Sequence, residues 1–161
     1  MAIYIKVDGV DGDSKDDKHD KWIDLVSWSW GAHHTSDMQS GGGTSGGSSQ
    51  VEQINVTCKT SSATAVLSQF CMKATKAATI EIHGTKAFGD EKDNWLELEL
   101  KEATVSSVSQ DHQSDPEGGD MSHTSVTFSF EECKLEIYDQ KKDQSRGASK
   151  IFTWIVGEGK E

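Results

Sequence analysis

The residues best equipped for chemistry lie together in one stretch. Ser45 is the central residue of Gly43-Thr-Ser-Gly-Gly47, which satisfies the G-x-S-x-G pattern of a hydrolase nucleophile. That pattern works only where a strand, a sharp turn and a helix aim the serine hydroxyl at an oxyanion hole. Here it falls inside Ser40-Gly-Gly-Gly-Thr-Ser-Gly-Gly-Ser-Ser49, where a serine- and glycine-rich composition alone produces the match. Gly41, Gly43 and Gly46 likewise spell G-x-G-x-x-G, but no helical pattern follows to present its first amides to a phosphate. The sequence therefore assigns neither a catalytic residue nor a nucleotide cofactor, and the chain is read as a non-enzyme.

Metal chemistry fares no better. The acidic run Asp8-Gly-Val-Asp-Gly-Asp-Ser-Lys-Asp-Asp17 invites comparison with a calcium loop. Started at Asp11, it puts Lys15 at the fifth place, Asp16 where glycine is needed and Trp22 where a bidentate glutamate belongs. The run is read instead as a solvated acidic loop. His33 and His34 are adjacent, so an extended backbone sends them to opposite sides. His19, His83, His112 and His123 lie in other segments, none at the i, i+4 spacing of a helical metal pair, and all are read as ordinary polar histidines. No metal is expected.

Charge excludes further classes. Sixteen basic and 27 acidic residues among 161 give a net charge of −11, and Arg146 is the sole arginine. Nucleic acid and anionic membrane surfaces both demand clustered positive charge, so neither is an expected partner. No apolar run approaches the ~20 residues of a membrane-spanning helix. The opening Met-Ala-Ile-Tyr-Ile-Lys-Val is too alternating for a secretory signal. Cys58, Cys71 and Cys133 are odd in number and lack C-x-x-C spacing, which predicts reduced thiols rather than a disulfide or zinc scaffold.

The elements that position these residues are read from periodicity. Ile3, Ile5 and Val7 alternate with Tyr4 and Lys6, predicting a strand over Ala2 to Val7. A second strand is predicted from Lys21 to Trp30, with Trp22, Val26, Trp28 and Trp30 on one face and Ile23, Leu25, Ser27 and Ser29 on the other. Tryptophans so placed are read as core rather than as a stacking platform. From Gly31 to Gln50 there is almost no apolar side chain, and this long segment is expected to be a mobile extended loop. A short strand over Val51 to Cys58 follows.

Then the period changes. Ala63, Val66, Leu67, Phe70, Cys71 and Ala74 recur at three and four, predicting one amphipathic helix capped by Thr60, Ser61 or Ser62. Further strands are predicted over Ala78 to His83, Trp95 to Ser109, Ser122 to Tyr138 and Ile151 to Val156. In two of them the apolar series slips by one residue: Leu96, Leu98 and Leu100 pass to Ala103 and Val105. Val126, Phe128 and Phe130 pass to Cys133, Leu135 and Ile137. Such slips mark bulges or bends where a strand turns a barrel corner. The fold class is mainly β: a single domain over residues 1–161, a small β-barrel of two packed sheets with one α-helix and a long Gly/Ser-rich loop. Trp22, Trp28, Trp30, Phe128 and Phe130 are its expected large core residues.

Read along its length, the chain resembles the Hcp proteins of the bacterial type VI secretion system. The resemblance is carried by Ile3-Tyr-Ile-Lys-Val-Asp-Gly-Val-Asp-Gly-Asp-Ser14, Asp16-Asp-Lys-His19 and Ile23-Asp-Leu-Val-Ser-Trp-Ser-Trp-Gly31. The glycine-rich loop, the helix after Cys58, Leu100-Lys-Glu-Ala-Thr-Val-Ser-Ser-Val-Ser109, Val126-Thr-Phe-Ser-Phe130 and the strand of Trp154 continue it. The resemblance implies an inner-tube subunit that forms homohexameric rings, which stack inside a contractile sheath beneath a spike protein. It implies assembly in the bacterial cytoplasm and expulsion to the outside or into a target cell, with effectors carried in the lumen. It places Ser29, with Ser27 on the same face, at the lumen, and Gly31, His33, His34, Met38, Gly41, Gly42 and Gly43 in a loop that contacts the next ring. A phage-tail-like tube subunit or a stand-alone secreted ligand-binding barrel is the other reading at this point.

Overall fold

Alternation of apolar and polar residues is realised as strand along most of the chain, and the computed structural model describes residues 1–35 and 48–157. Among these residues the chain forms β1 (Ala2–Val7), β2 (Ile23–Ser29), β3 (Ala32–Thr35), β4 (Ser48–Val51) and β5 (Ile54–Lys59). There follow α1 (Ser62–Lys73), β6 (Lys76–Phe88), β7 (Glu91–Ser114), β8 (Asp120–Ser129), β9 (Glu132–Gln140) and β10 (Arg146–Ile155). The fold is mainly β with a helix, as the periodicity predicts.

Neighbouring strands pair antiparallel in the order β10-β9-β7-β6-β1-β2-β5-β8, and β8 then pairs back onto β7. That last pairing closes a circuit of six strands and removes their free edges. Hydrogen bonding thus runs unbroken around the barrel. β9 and β10 stand outside the circuit as a flange on the first half of β7.

The long strand β7 makes this possible by changing partners. Residues Leu96 to Lys101 pair with β9, whereas Thr104 to Ser114 pair with β8. Between them Glu102 adopts φ 50, a left-handed conformation that interrupts the pleat. The slip from Leu100 to Ala103 falls there. The second slip is a chain break rather than a bulge, because the segment predicted as one strand from Ser122 to Tyr138 is two, β8 and β9, parted at Phe130 and Glu131. Glu131 N donates to Lys101 O at 3.1 Å, so both slips mark one corner in space.

Several boundaries differ from expectation. The segment 31–50 is not loop throughout: β3 and β4 form a hairpin in which Ala32 faces Val51 and Thr35 faces Ser48. Short exposed strands of Ala, His, Thr, Ser and Gln carry no apolar alternation, so periodicity missed them. Met38, Gly41, Gly42 and Gly43 lie outside the described residues. The last strand begins at Arg146 rather than Ile151.

The helix follows its signals. Ser61 caps α1, its Oγ accepting from Ala63 N at 3.3 Å while Thr64 Oγ1 accepts from Ser61 N at 3.2 Å. At the other end Ala74 takes φ 51 and its amide donates to the carbonyls of Cys71 and Phe70. Ala63, Thr64 and Leu67 are the buried stripe, and a Cβ on Gly9 would stand 3.2 Å from Phe70. The helix therefore packs closely on the segment after β1. Inside the barrel, Ile54, Ile80, Ile82, Leu98, Leu100, Val126 and Phe128 are almost wholly buried. Cys58 and Cys133 are buried free thiols, and burial raises the pKa of both.

Candidate assembly surfaces

The barrel presents a broad outer face built largely of small hydroxyl-bearing residues, with Val26 as an exposed apolar exception. On β5, Ile54, Val56 and Cys58 point to the core, so Asn55 and Thr57 point out. Pairing carries that alternation sideways. Ser29 faces Asn55, Asn55 faces Thr127 and Thr127 faces Ser107. In the next row Ser27 faces Thr57, Thr57 faces Ser125 and Ser125 faces Ser109. These rows bear hydroxyls and one amide across β2, β5, β8 and β7, with no charge and no large apolar group. Thr127 Oγ1 donates to Asn55 Oδ1 at 2.7 Å, and Ser106 Oγ donates to Thr127 O at 3.0 Å. Beneath them Trp28, Val56, Val126 and Val108 form the matching row on the core side.

Two bulges keep that face consistent. Val26 is an extra residue on β2 between the pairs Leu25 with Cys58 and Ser27 with Thr57. It swings outward, 55% exposed, and lets Trp28 follow Ile23 and Leu25 onto the core side. The predicted grouping of Val26 with the tryptophans is thereby corrected. Ser106 plays the same part on β7. Trp28 and Trp30 are half-buried against the core rather than enclosed in it, whereas Phe128 and Phe130 are buried. Trp22 is buried too, but it precedes β2 and packs on His19 and His83 instead of sharing a face with Trp28.

A second surface is apolar. Leu135 and Ile137 of β9 and Phe152 and Trp154 of β10 lie on the side of the flange that continues the buried face of β7. Past the barrel that side loses its cover. A groove of about 310 Å³ runs along Leu135, Ile137 and Phe152 with Asp139 and Lys150 at its side, and another of about 260 Å³ lies between Phe152, Trp154 and the β3–β4 hairpin. Trp30, Phe152 and Trp154 step along it with ring centroids 6.0 and 6.4 Å apart. Ile151 is 57% exposed on the opposite side, and the outer edge of β10 has no partner strand among the described residues. On the hairpin, His33 and His34 are both exposed, and His34 Nδ1 meets Ser49 Oγ at 2.8 Å.

The acidic loop keeps Asp8, Asp11, Asp13 and Asp17 exposed, as expected, while its backbone folds against the sheet. Val10, Ser14 and His19 are buried. A Cβ at Gly12 would collide with the Trp22 carbonyl, so only glycine allows that close approach. His19 Nδ1 lies 2.8 Å from Asp16 Oδ1, and its Nε2 lies 3.0 Å from His83 Nδ1. Its ring stacks on Tyr4 at 4.3 Å. Lys92 Nζ donates to Asp16 Oδ2 at 2.6 Å and to Tyr4 Oη at 3.0 Å. The Lys92 ammonium, with the His19 hydrogen bond, holds the Asp16 carboxyl well below its usual range, and Asp16 and Tyr4 raise Lys92. The network reaches the flange, where Arg146 meets Asp93 at 3.0 Å and lies over the Tyr138 ring at 3.5 Å.

Sequence reasoning named Ser27 and Ser29 but missed Asn55, Thr57, Ser107, Ser109, Ser125 and Thr127. A signal existed in Asn55-Val-Thr57 and Ser125-Val-Thr127, where small polar residues alternate with Val. It missed the union of His19 and His83 because 64 residues separate them.

Comparison with known proteins agrees with this arrangement. The family described as "Type VI secretion system effector, Hcp" matches residues 4–137. Protein hcp1 of Pseudomonas aeruginosa is 30% identical over 157 residues, spanning 97% of this chain and 95% of that protein. A solved type six secretion system protein superimposes with a TM-score of 0.89 at 27% identity, covering 99% of this chain and 98% of the other. Hcp1 from Salmonella typhimurium gives 0.80 at 26% identity, with 99% and 97% covered.

Proposed function

The chain belongs to the Hcp family of type VI secretion effectors, and from that membership we propose that it is a structural subunit of a type VI inner tube. Six copies close into a ring, rings stack into the tube within a contractile sheath, and contraction expels the tube behind its spike. Effectors travel in the lumen.

The observation that carries this reading is the hydroxyl face formed by Ser27, Ser29, Asn55, Thr57, Ser107, Ser109, Ser125 and Thr127. A wall that guides varied protein cargo must stay wet without holding any cargo by charge or by apolar burial. Small hydroxyls meet that need, since water and passing backbone groups can exchange for one another at little cost. The apolar flange supports the other half of the reading. A heterologous contact repeated around an axis closes a ring, and the uncovered side of Leu135, Ile137, Phe152 and Trp154 is what such a contact would bury. The β3–β4 hairpin, with the exposed His33 and His34, would supply the contact with the next ring.

The test separates lumen from interface. Ser27→Trp with Ser29→Trp is expected to leave ring size unchanged by electron microscopy while abolishing co-purification of effectors. Loss of rings would mean that this face is buried between subunits, and unchanged effector binding would remove it from the cargo path.

A further inference from the structure

The network around His19 constrains its own protons. Asp16 accepts at both oxygens, Oδ1 from Lys18 N at 3.2 Å and Oδ2 from Lys92 Nζ, so it is a carboxylate and His19 Nδ1 must donate to it. Asn94 Nδ2 lies 3.1 Å from Glu97 Oε1 and 3.1 Å from His83 Nδ1. The Glu97 carboxylate can only accept, which fixes the amide nitrogen on that side. Its second hydrogen then points at His83 Nδ1, making that nitrogen a bare acceptor. The amide oxygen is left buried with no partner among the described residues. His19 Nε2, 3.0 Å from the same bare nitrogen, must therefore donate as well.

We propose that Asp16, His19 and His83 form an acid-opened latch. The segment 8–22 is held on the sheet while His83 Nδ1 is a bare acceptor, and it is released when that nitrogen takes a proton from solvent. Protonation would aim three hydrogens, from His19, Asn94 and His83 itself, at one another across distances of 3.0 and 3.1 Å. Beyond the His19–His83 contact the segment is tied to the sheet through Asp16, which accepts from Lys92 Nζ at 2.6 Å and Tyr4 Oη at 3.3 Å, and through Lys18 Nζ, which donates to Lys92 O at 3.2 Å. Asp8 N donates to Thr79 O at 3.1 Å, and Gly12, Ser14 and Lys21 bond mainly within the segment.

The groups facing His83 come from every element around it. Tyr4 of β1 and Glu97 of β7 are its register partners, Glu81 lies on its own strand, and Glu99 of β7 with Lys134 and Glu136 of β9 share its pocket. Asp16 and Lys92 stand behind His19. Burial lowers the His83 pKa from 6.5 to about 4, Glu97 opposes that shift and His19 adds to it. The folded state thus binds fewer protons than the open one between those values, and closure weakens as pH falls from 6.5 toward 4.

Amide exchange of the full chain tests the latch. After correction for the intrinsic pH dependence of exchange, opening of residues 11–22 is expected to rise about tenfold per pH unit between about 6.5 and 4. His83→Asn keeps an acceptor near the Nδ1 position but cannot take the proton, so its opening should be flat over that range. The same rise in His83→Asn would overturn the proposal. Should that variant not fold, the wild-type ring resonances decide: opening in step with protonation of His83 supports the latch. Opening with His83 still neutral, or a closed segment with His83 protonated, overturns it.

Discussion

Ser29 on β2 and Phe128 on β8 flank β5 in the barrel wall, and their surroundings predict opposite consequences of substitution. Phe128 is almost completely buried among Ile54, Val56 and Val105, so Phe128→Ala is expected to destabilise the subunit by about 3–5 kcal/mol in urea unfolding. Ser29 is exposed and bonds no core group, so Ser29→Ala should stay within about 0.5 kcal/mol of the parent. Asp16 gives a pH-dependent counterpart. Its folded carboxyl is held below the ordinary 3.8, chiefly by Lys92. The stability it contributes is present above that value and lost as pH falls below it. Asp16→Asn should therefore start less stable at pH 7, by about 1–3 kcal/mol, and lose less than the parent between pH 4 and 2 in thermal melts. At this scale the sequence was legible where residue type alone decides burial: Phe128 and Phe130 were expected in the core and are buried. The burial of His19 was not, because its partner arrives from β6, far along the chain.

At the scale of elements, strands and helix were legible because period is a local property. The slips at Leu100 to Ala103 and Phe130 to Cys133 could be seen as irregularities, but not as one corner. Only pairing shows that Lys101 on β7 opposes Glu131 at the break between β8 and β9. The bulge at Val26 was missed for a related reason: a valine between Leu25 and Trp28 fits the two-residue period on the wrong face. Helix α1 offers a test of local geometry. Ala74 occupies the left-handed cap position at φ 51, which costs an L-residue side chain but not glycine. Ala74→Gly is expected to stabilise the chain by about 0.5–1 kcal/mol, read as a raised melting temperature. A lowered one would mean that helix packing, not the cap, dominates at that end.

For the whole molecule, a chain only 34% hydrophobic leaves part of its apolar surface uncovered on the flange instead of hiding it all in one core. No helix among the described residues is long and apolar enough to cross a membrane. Periodicity announced a final apolar strand but could not say that β10 ends as an outer edge, since that depends on how the barrel closes. Ile151→Asp, placed on an exposed position beside that edge, should leave the subunit folded by circular dichroism while lowering its solution mass. In the proposed tube, six chains of −11 each would repel across rings, so longer stacks are expected as salt rises and screens that charge. The most direct measurement of the central claim is light scattering of the purified chain across micromolar concentrations at physiological salt. A mass near six times 17.6 kDa is the predicted result. A mass near 17.6 kDa at every concentration would contradict the tube-subunit account.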